Sequence, residues 1–434
     1  MQKTPVTIII TKRMENTYGM KKYSPDKIVL LALFVLALLI ARFITASRSA
    51  IELTDPIELN HTGLSVSMPA GNGWRTNGQW KYQQNSFTLT SDFIPVSASV
   101  KAHAGCRYLL AAVQTDPLLI FEQKAASVDG IITETGQLRT DTLTVDWAHI
   151  KKPQTLPSIF LGTVQLSNSR RLDIEVFQAT GDTDLAEQTF RAVAKSLKFQ
   201  SNELLQTGGE ILDEIKNIGL NHFLDVHPAK ISQNTPVFFL IKNAAGQNVG
   251  FTMDVLTSSD RSMQFNIEAV SFSYFRGRYP RERRTLFQSN NTLNEFIWKS
   301  QNASLDDRSV ATIVLDRTGL MTVSKLNPSS EEKKYQFGPA AIPKILLELL
   351  FTQMLDSGSE KLIVDIVEAD GIVTPALVSK TTEVENGRYV LKAQLLNGRG
   401  FHYERSGIEN ILKQFPERAD YILQKNKLLE QNQF

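Results

Sequence analysis

The chain has 434 residues, room for two globular domains, and its 42% hydrophobic and 21% charged residues are the proportions of a folded protein rather than a disordered one. A formal net charge of +2 leaves no global electrostatic case for nucleic acid, so none is expected as a partner. The single cysteine, Cys106, excludes an intramolecular disulfide, and every core must hold by packing alone.

Lys3, Lys12, Arg13, Lys21, Lys22 and Lys27 form a basic arm over residues 1–27. An apolar run from Ile28 to Ala46 follows, interrupted only by Arg42. As a helix it would be about 28 Å long at ~1.5 Å per residue, close to the hydrocarbon thickness of a bilayer. The run is therefore expected to be a transmembrane signal anchor, with the arm cytoplasmic and the bulk exported. A cleaved signal peptide is the alternative. An exported chain without disulfides suits a bacterial envelope, so the expected location is the bacterial inner membrane, crossed once.

A first exported domain is expected over residues 51–199. Leu64, Val66 and Met68 alternate with small or polar residues, the period of a half-buried strand, until Pro69 to Gly73 break it. Strands are expected over 80–89 and 96–102. Asp116 followed by Pro117 opens a helix in the order that capping favours, and Gly130 closes it. Leu143, Val145 and Trp147 alternate again. Val164 and Leu166 face Leu172, Ile174 and Val176 across a Ser167-Asn168-Ser169 turn. A last helix, capped by Asp182 or Asp184, carries Ala186, Phe190, Val193 and Leu197 on one face. The stretch from Gly63 to Pro69 leading to Gly73-Trp74, with the closing segment from Phe190 to Phe199, resembles the PsbP-like α/β/α family. That resemblance implies a three-layer docking domain with no catalytic residues.

A second domain is expected over residues 202–434, reached through a connector in which Gly208-Gly209 precede a short helix with Ile211, Leu212, Ile215 and Ile218 on one face. Residues 236–242 and 249–256 flank a glycine-containing loop, as in a hairpin. Met263, Phe265 and Ile267 alternate, then the apolar positions switch to Val270, Phe272 and Tyr274, which reads as a bulge bending the sheet. Ala311, Ile313 and Leu315 are expected opposite Met321 and Val323. Asp370-Gly371 and Asn397-Gly398 are further tight-turn signals. Ala341 to Leu355 is apolar almost all round and is expected to be a buried helix wrapped by a curved antiparallel sheet. The stretch from Phe238 to Phe251 resembles the first hairpin of LolA-like half-barrels. The expected fold class is thus α+β: a transmembrane helix, a PsbP-like α/β/α domain and a β half-barrel around a buried helix.

His222, Asp225 and His227 are the candidate metal ligands. A zinc site needs three or four converging ligands, and no fourth is near in sequence. The segment is read as a helix running into a loop, with no metal and no cofactor expected. Arg276, Arg278, Arg281, Arg283 and Arg284, interleaved with Tyr274 and Tyr279, are the candidate ligand-binding residues, because guanidinium forks suit carboxylate and phosphate groups. A solvated hairpin tip explains the same charges. There is no nucleophile elbow, zincin motif, phosphate loop or dinucleotide fingerprint, so no catalytic residue is assigned. The sequence points to a membrane-anchored, exported, non-catalytic binding protein that docks a protein partner or holds an apolar ligand or lipid. An envelope hydrolase with a dispersed active site and a structural subunit of a membrane complex are the alternatives.

Overall fold

The computed structural model describes residues 29–30, 33–37 and 51–425, apart from residues 72, 95–101, 153–156, 180–182, 223–236, 244, 262–263, 276–280, 304–307, 328, 385–387, 397–399, 407–408 and 415–421. The basic arm, most of the apolar run and the Asn397-Gly398 turn lie outside the described residues. Residues 1–51 and 52–434 form two separate units. In the first, residues 29–30 and 33–37 are helical. Among the described residues no helix is long and apolar enough to cross a membrane, which corrects the expectation of a transmembrane signal anchor.

In the second unit, the N-terminal lobe is an eight-stranded antiparallel sheet. Its long strands are Ser86–Phe93, Ala102–Leu110, Arg170–Gln178, Ser158–Ser167, Thr144–Lys151 and Ile131–Arg139, in that spatial order. The expected hairpin forms, with Leu172 opposite Val164 and Ile174 opposite Gly162. Strict alternation gives this sheet two apolar faces. On one, Phe160 and Trp147 meet Phe190 of helix α2, which spans Thr183–Ser196, at centroid distances of 5.9 and 6.3 Å. On the other, Ile159, Leu161, Ala148 and Ile150 pack against Phe121 and Ala125 of helix α1, Pro117–Ser127. The Asp116 carboxylate accepts from the Leu118 amide at 2.9 Å, and Pro117 occupies the first turn, where no amide hydrogen is needed.

Helix α3 spans Glu203–Ile218 and is capped by Asn202. The Gly208-Gly209 pair lies inside it. A Cβ at Gly208 would collide with the Ile363 carbonyl oxygen, so glycine there lets α3 lie directly on the strand Lys361–Val367.

That strand belongs to a fifteen-stranded sheet. Eight strands run as an antiparallel meander from Val237–Lys242 to Ser329–Gln336, and seven more run from Ala341–Pro343 to Ile422–Lys425. The halves join where Val237–Lys242 pairs with Ile422–Lys425. The two edge strands are separated by only residues 337–340, so they end within about 19 Å of each other and the sheet must curl. Ala341–Pro343 pairs in parallel with Lys361–Val367, and a parallel neighbour requires a crossover. The crossover is a 3₁₀ turn, Lys344–Leu346, followed by helix α4, Leu347–Asp356. The long buried helix expected from Ala341 is therefore a strand, a turn and a shorter helix. Leu346, Leu350, Phe351 and Met354 are nevertheless fully buried.

These observations correct the expected fold class. The protein is mostly β, built on large antiparallel sheets, rather than α+β, and among the described residues it has no membrane-crossing helix. The reason lies in the second lobe, where turn after turn continues one sheet instead of closing a small one around a helix.

Candidate functional site

The apolar switch at Val270 is not a bulge. Gln264–Phe275 pairs continuously with Asn248–Arg261 on one side and with Arg281–Asn290 on the other, without a register shift. What changes is the environment along one straight strand. At its start, Phe265 and Ile267 are buried in the main core. Beyond Ala269 the same face continues with Ser271 and Ser273, while the opposite face carries Val270, Phe272 and Tyr274. Cross-strand neighbours extend this second face with Val255, Met253 and Phe251, and then with Phe238 and Leu240 of the next strand. The rings form a ladder, Phe251 lying 6.2 Å from Phe272 and 5.8 Å from Tyr274. Tyr274 is 39% exposed.

Strand alternation divides the arginine run. Arg284 lies opposite Val270 on the aromatic face, next to Glu282, with which it forms an ion pair. Arg283 lies opposite Ser271 on the other face, where its Nε donates to Asn302 Oδ1 at 2.8 Å. Arg281, opposite Ser273, shares that face. All three arginines are exposed. Arg276, Arg278 and Tyr279 lie outside the described residues. The arrangement can therefore offer an apolar aromatic patch edged by the Arg284–Glu282 ion pair.

No family model matches this chain, and no curated protein does either. Two solved structures are similar to parts of it. One is a beta-barrel-like protein of the DUF1849 domain from Brucella abortus, at 7% identity and a TM-score of 0.33, covering 45% of this chain and 96% of that one. The other is the tail fiber of Staphylococcus aureus phage P68, at 11% identity and a TM-score of 0.12, covering 80% of this chain and 63% of that one. Likenesses this slight assign neither fold nor function to this chain, and the PsbP-like likeness of the first lobe gains no support.

His222 sits on an exposed helical turn, while Asp225 and His227 lie outside the described residues. Among the described residues no group of three metal-ligating side chains converges. His402 falls on the strand Gly400–Ser406, and its side chain lies outside the described residues. Glu331 bonds Lys333 at 2.7 Å on an exposed edge strand, and that lysine holds its carboxyl below the usual range.

Two polar clusters escaped sequence reasoning, because each is assembled across strands. His149 Nε2 lies 2.7 Å from Ser158 Oγ, and its Nδ1 lies 2.9 Å from Thr133 Oγ1. The ring stacks on Phe160 at 4.4 Å, and burial pushes its pKa down. A hydroxyl, an imidazole and an orienting group are the components of a nucleophile. Here, however, Ser158 is only 2% exposed, so no substrate carbonyl reaches it and the cluster serves the sheet. The second cluster is the Arg170–Asp365 ion pair, buried between the lobes with Arg170 above the Tyr108 ring at 6.0 Å. Burial pulls the guanidinium down, but Asp365 and Tyr108 outweigh it and hold Arg170 above its ordinary value. The alternating register that hides both clusters from a linear reading is also what builds them.

Proposed function

We propose that the protein acts by binding, and that it docks a protein partner on the aromatic face of the large sheet. The observation that carries this reading is the transfer of apolar character to the second face of Gln264–Phe275, with the Phe251 ring beside both Phe272 and Tyr274. A sheet face turned to water alternates polar against apolar. A clustered aromatic surface rimmed by arginine is the composition that protein interfaces favour. The patch selects the partner's chemistry: an apolar, aromatic anchor whose polar edge can exchange with the Arg284–Glu282 ion pair.

Replacing Tyr274 with a photo-crosslinking phenylalanine analogue tests this in the source cells. The expected product is a discrete protein adduct that disappears when Phe251→Glu is added, since losing a central anchor costs about 2 kcal/mol or more. Arg284→Glu should slow association with the captured partner and flatten its salt dependence. Adducts that survive Phe251→Glu, or none at all from a folded protein, would refute the docking face.

A further inference from the structure

The aromatic face of the large sheet is self-complementary. On it, side chains stand in cross-strand rows ~7 Å apart along the strands. One row holds Val255, Val270 and Arg284, and the next holds Met253, Phe272 and Glu282, in the same strand order. Small apolar side chains ending in a cation thus lie beside larger ones ending in an anion. Outside these two rows, one with Phe251 and Tyr274 lies on one side and one with Glu268 and Leu286 on the other.

A two-fold axis laid across the strands, between the first two rows, brings each row of one copy onto the other row of its mate. Val255 and Val270 then meet Met253 and Phe272, so that large side chains interdigitate with small ones, as in packed sheets. Arg284 meets Glu282 of the second copy, and Glu282 meets that copy's Arg284. Tyr274, 39% exposed, meets Glu268, an exposed carboxylate that can accept from its hydroxyl. Within one copy the Arg284 and Glu282 side chains are 68% and 36% exposed, a solvated pair that stabilises little. Exchanged across the axis, the same groups form two pairs at the edge of an apolar contact, where salt screens them less.

We infer that this face binds a second copy of the chain, in an isologous dimer whose sheets pack face to face with their strands running in opposite directions. The inference rests on the proposed docking face and names its occupant.

Sedimentation of the purified full chain in detergent, beside two charge-reversed variants, tests it. The unaltered chain should form a concentration-dependent dimer. In the dimer, Arg284→Glu would bring four carboxylates together and Glu282→Arg four guanidinium groups. Each variant alone should therefore associate about tenfold more weakly, or worse. An equimolar mixture of the two should recover the original affinity, because every reversed charge again faces its opposite. The double variant Glu282→Arg, Arg284→Glu should recover it too. Recovery in the mixture also shows that both single variants are folded. A dimer indifferent to both reversals, or a mixture no tighter than its components, would overturn the inference. So would a chain that stays monomeric. A monomeric chain whose Tyr274 adduct is a different protein overturns the dimer alone, whereas a monomeric chain with no adduct overturns the docking face as well.

Discussion

Asn85 shows how one residue can serve two structures at once. It occupies the tight turn between Lys81–Gln83 and Ser86–Phe93 with φ at 63°, a left-handed conformation that asparagine tolerates better than most residues. Its amide also leaves its own sheet: Oδ1 accepts from the Val373 amide at 2.6 Å, and Nδ2 donates to the Gly371 carbonyl at 3.0 Å. Asn85→Ala should therefore cost about 2–4 kcal/mol in denaturant unfolding, from two buried groups left unmatched and a strained turn. Cys106 gives a second prediction. It is buried beside Met68, its sulfur 3.8 Å from the Met68 sulfur, and burial pushes the thiol from 9.0 up to about 12. A raised pKa means that the folded state retains the proton. Stability from this group is then complete below pH 9.0 and lost as pH rises toward about 12. In the folded protein at pH 8, iodoacetamide should react with Cys106 only at the rate of unfolding, whereas in urea it should react at once.

At the scale of elements, α3 offers a paired experiment. Gly208 and Gly209 are neighbours in one helix, yet a Cβ at the first meets backbone and at the second meets nothing within 4 Å. Gly208→Ala should force α3 off Lys361–Val367 and destabilise the protein by about 1–3 kcal/mol. Gly209→Ala should instead stabilise it by roughly 0.5–1 kcal/mol through helix propensity alone. Thermal melts of the two variants should move in opposite directions. The turn before α4 is as tightly filled: Leu346 is 1% exposed and belongs to the main core. Leu346→Trp should cost about 1–3 kcal/mol by overpacking. A neutral substitution would reveal an apolar groove beneath the crossover.

For the whole molecule, the issue is how two lobes become one folding unit. Their contact is not confined to the stretch from Asn202 to Gly209. Tyr82 Oη bonds the Val373 carbonyl at 3.0 Å, and the Gln336 amide bonds Ala111 O at 2.8 Å. The buried Arg170–Asp365 pair lies between them. A single core cluster runs from Leu59 to Leu395 through both lobes. Residues 52–434 should therefore melt in one transition seen equally by probes in either lobe. Asp365→Ala, which strands a buried guanidinium, should lower that transition by about 3–5 kcal/mol. The double variant Arg170→Met, Asp365→Leu should recover most of the loss, because an apolar pair needs no desolvated charges. Two separate transitions in Asp365→Ala would show that the pair is what couples the lobes.

Local chemistry was sufficient where it acts over a few residues. Asp116-Pro117 specifies the start of α1, the Ser167-Asn168-Ser169 turn specifies its hairpin, and alternation through Leu172, Ile174 and Val176 specifies which side chains reach the core. The candidate arginines were also visible as composition. Their partition was not, because which face each occupies depends on cross-strand register, and register is a property of pairs of strands. The same limit explains the Val270 switch. A sequence with alternating apolar positions that change phase looks identical whether the strand bulges or simply passes between two environments. The helix expected over Ala341 to Leu355 failed for a related reason: an apolar run of that length satisfies either a buried strand or a buried helix, and the parallel neighbour Lys361–Val367 decided the division. Trp298 and Ser300 carry no local signal whatever. Their unmatched polar atoms exist only once the strands have been laid side by side.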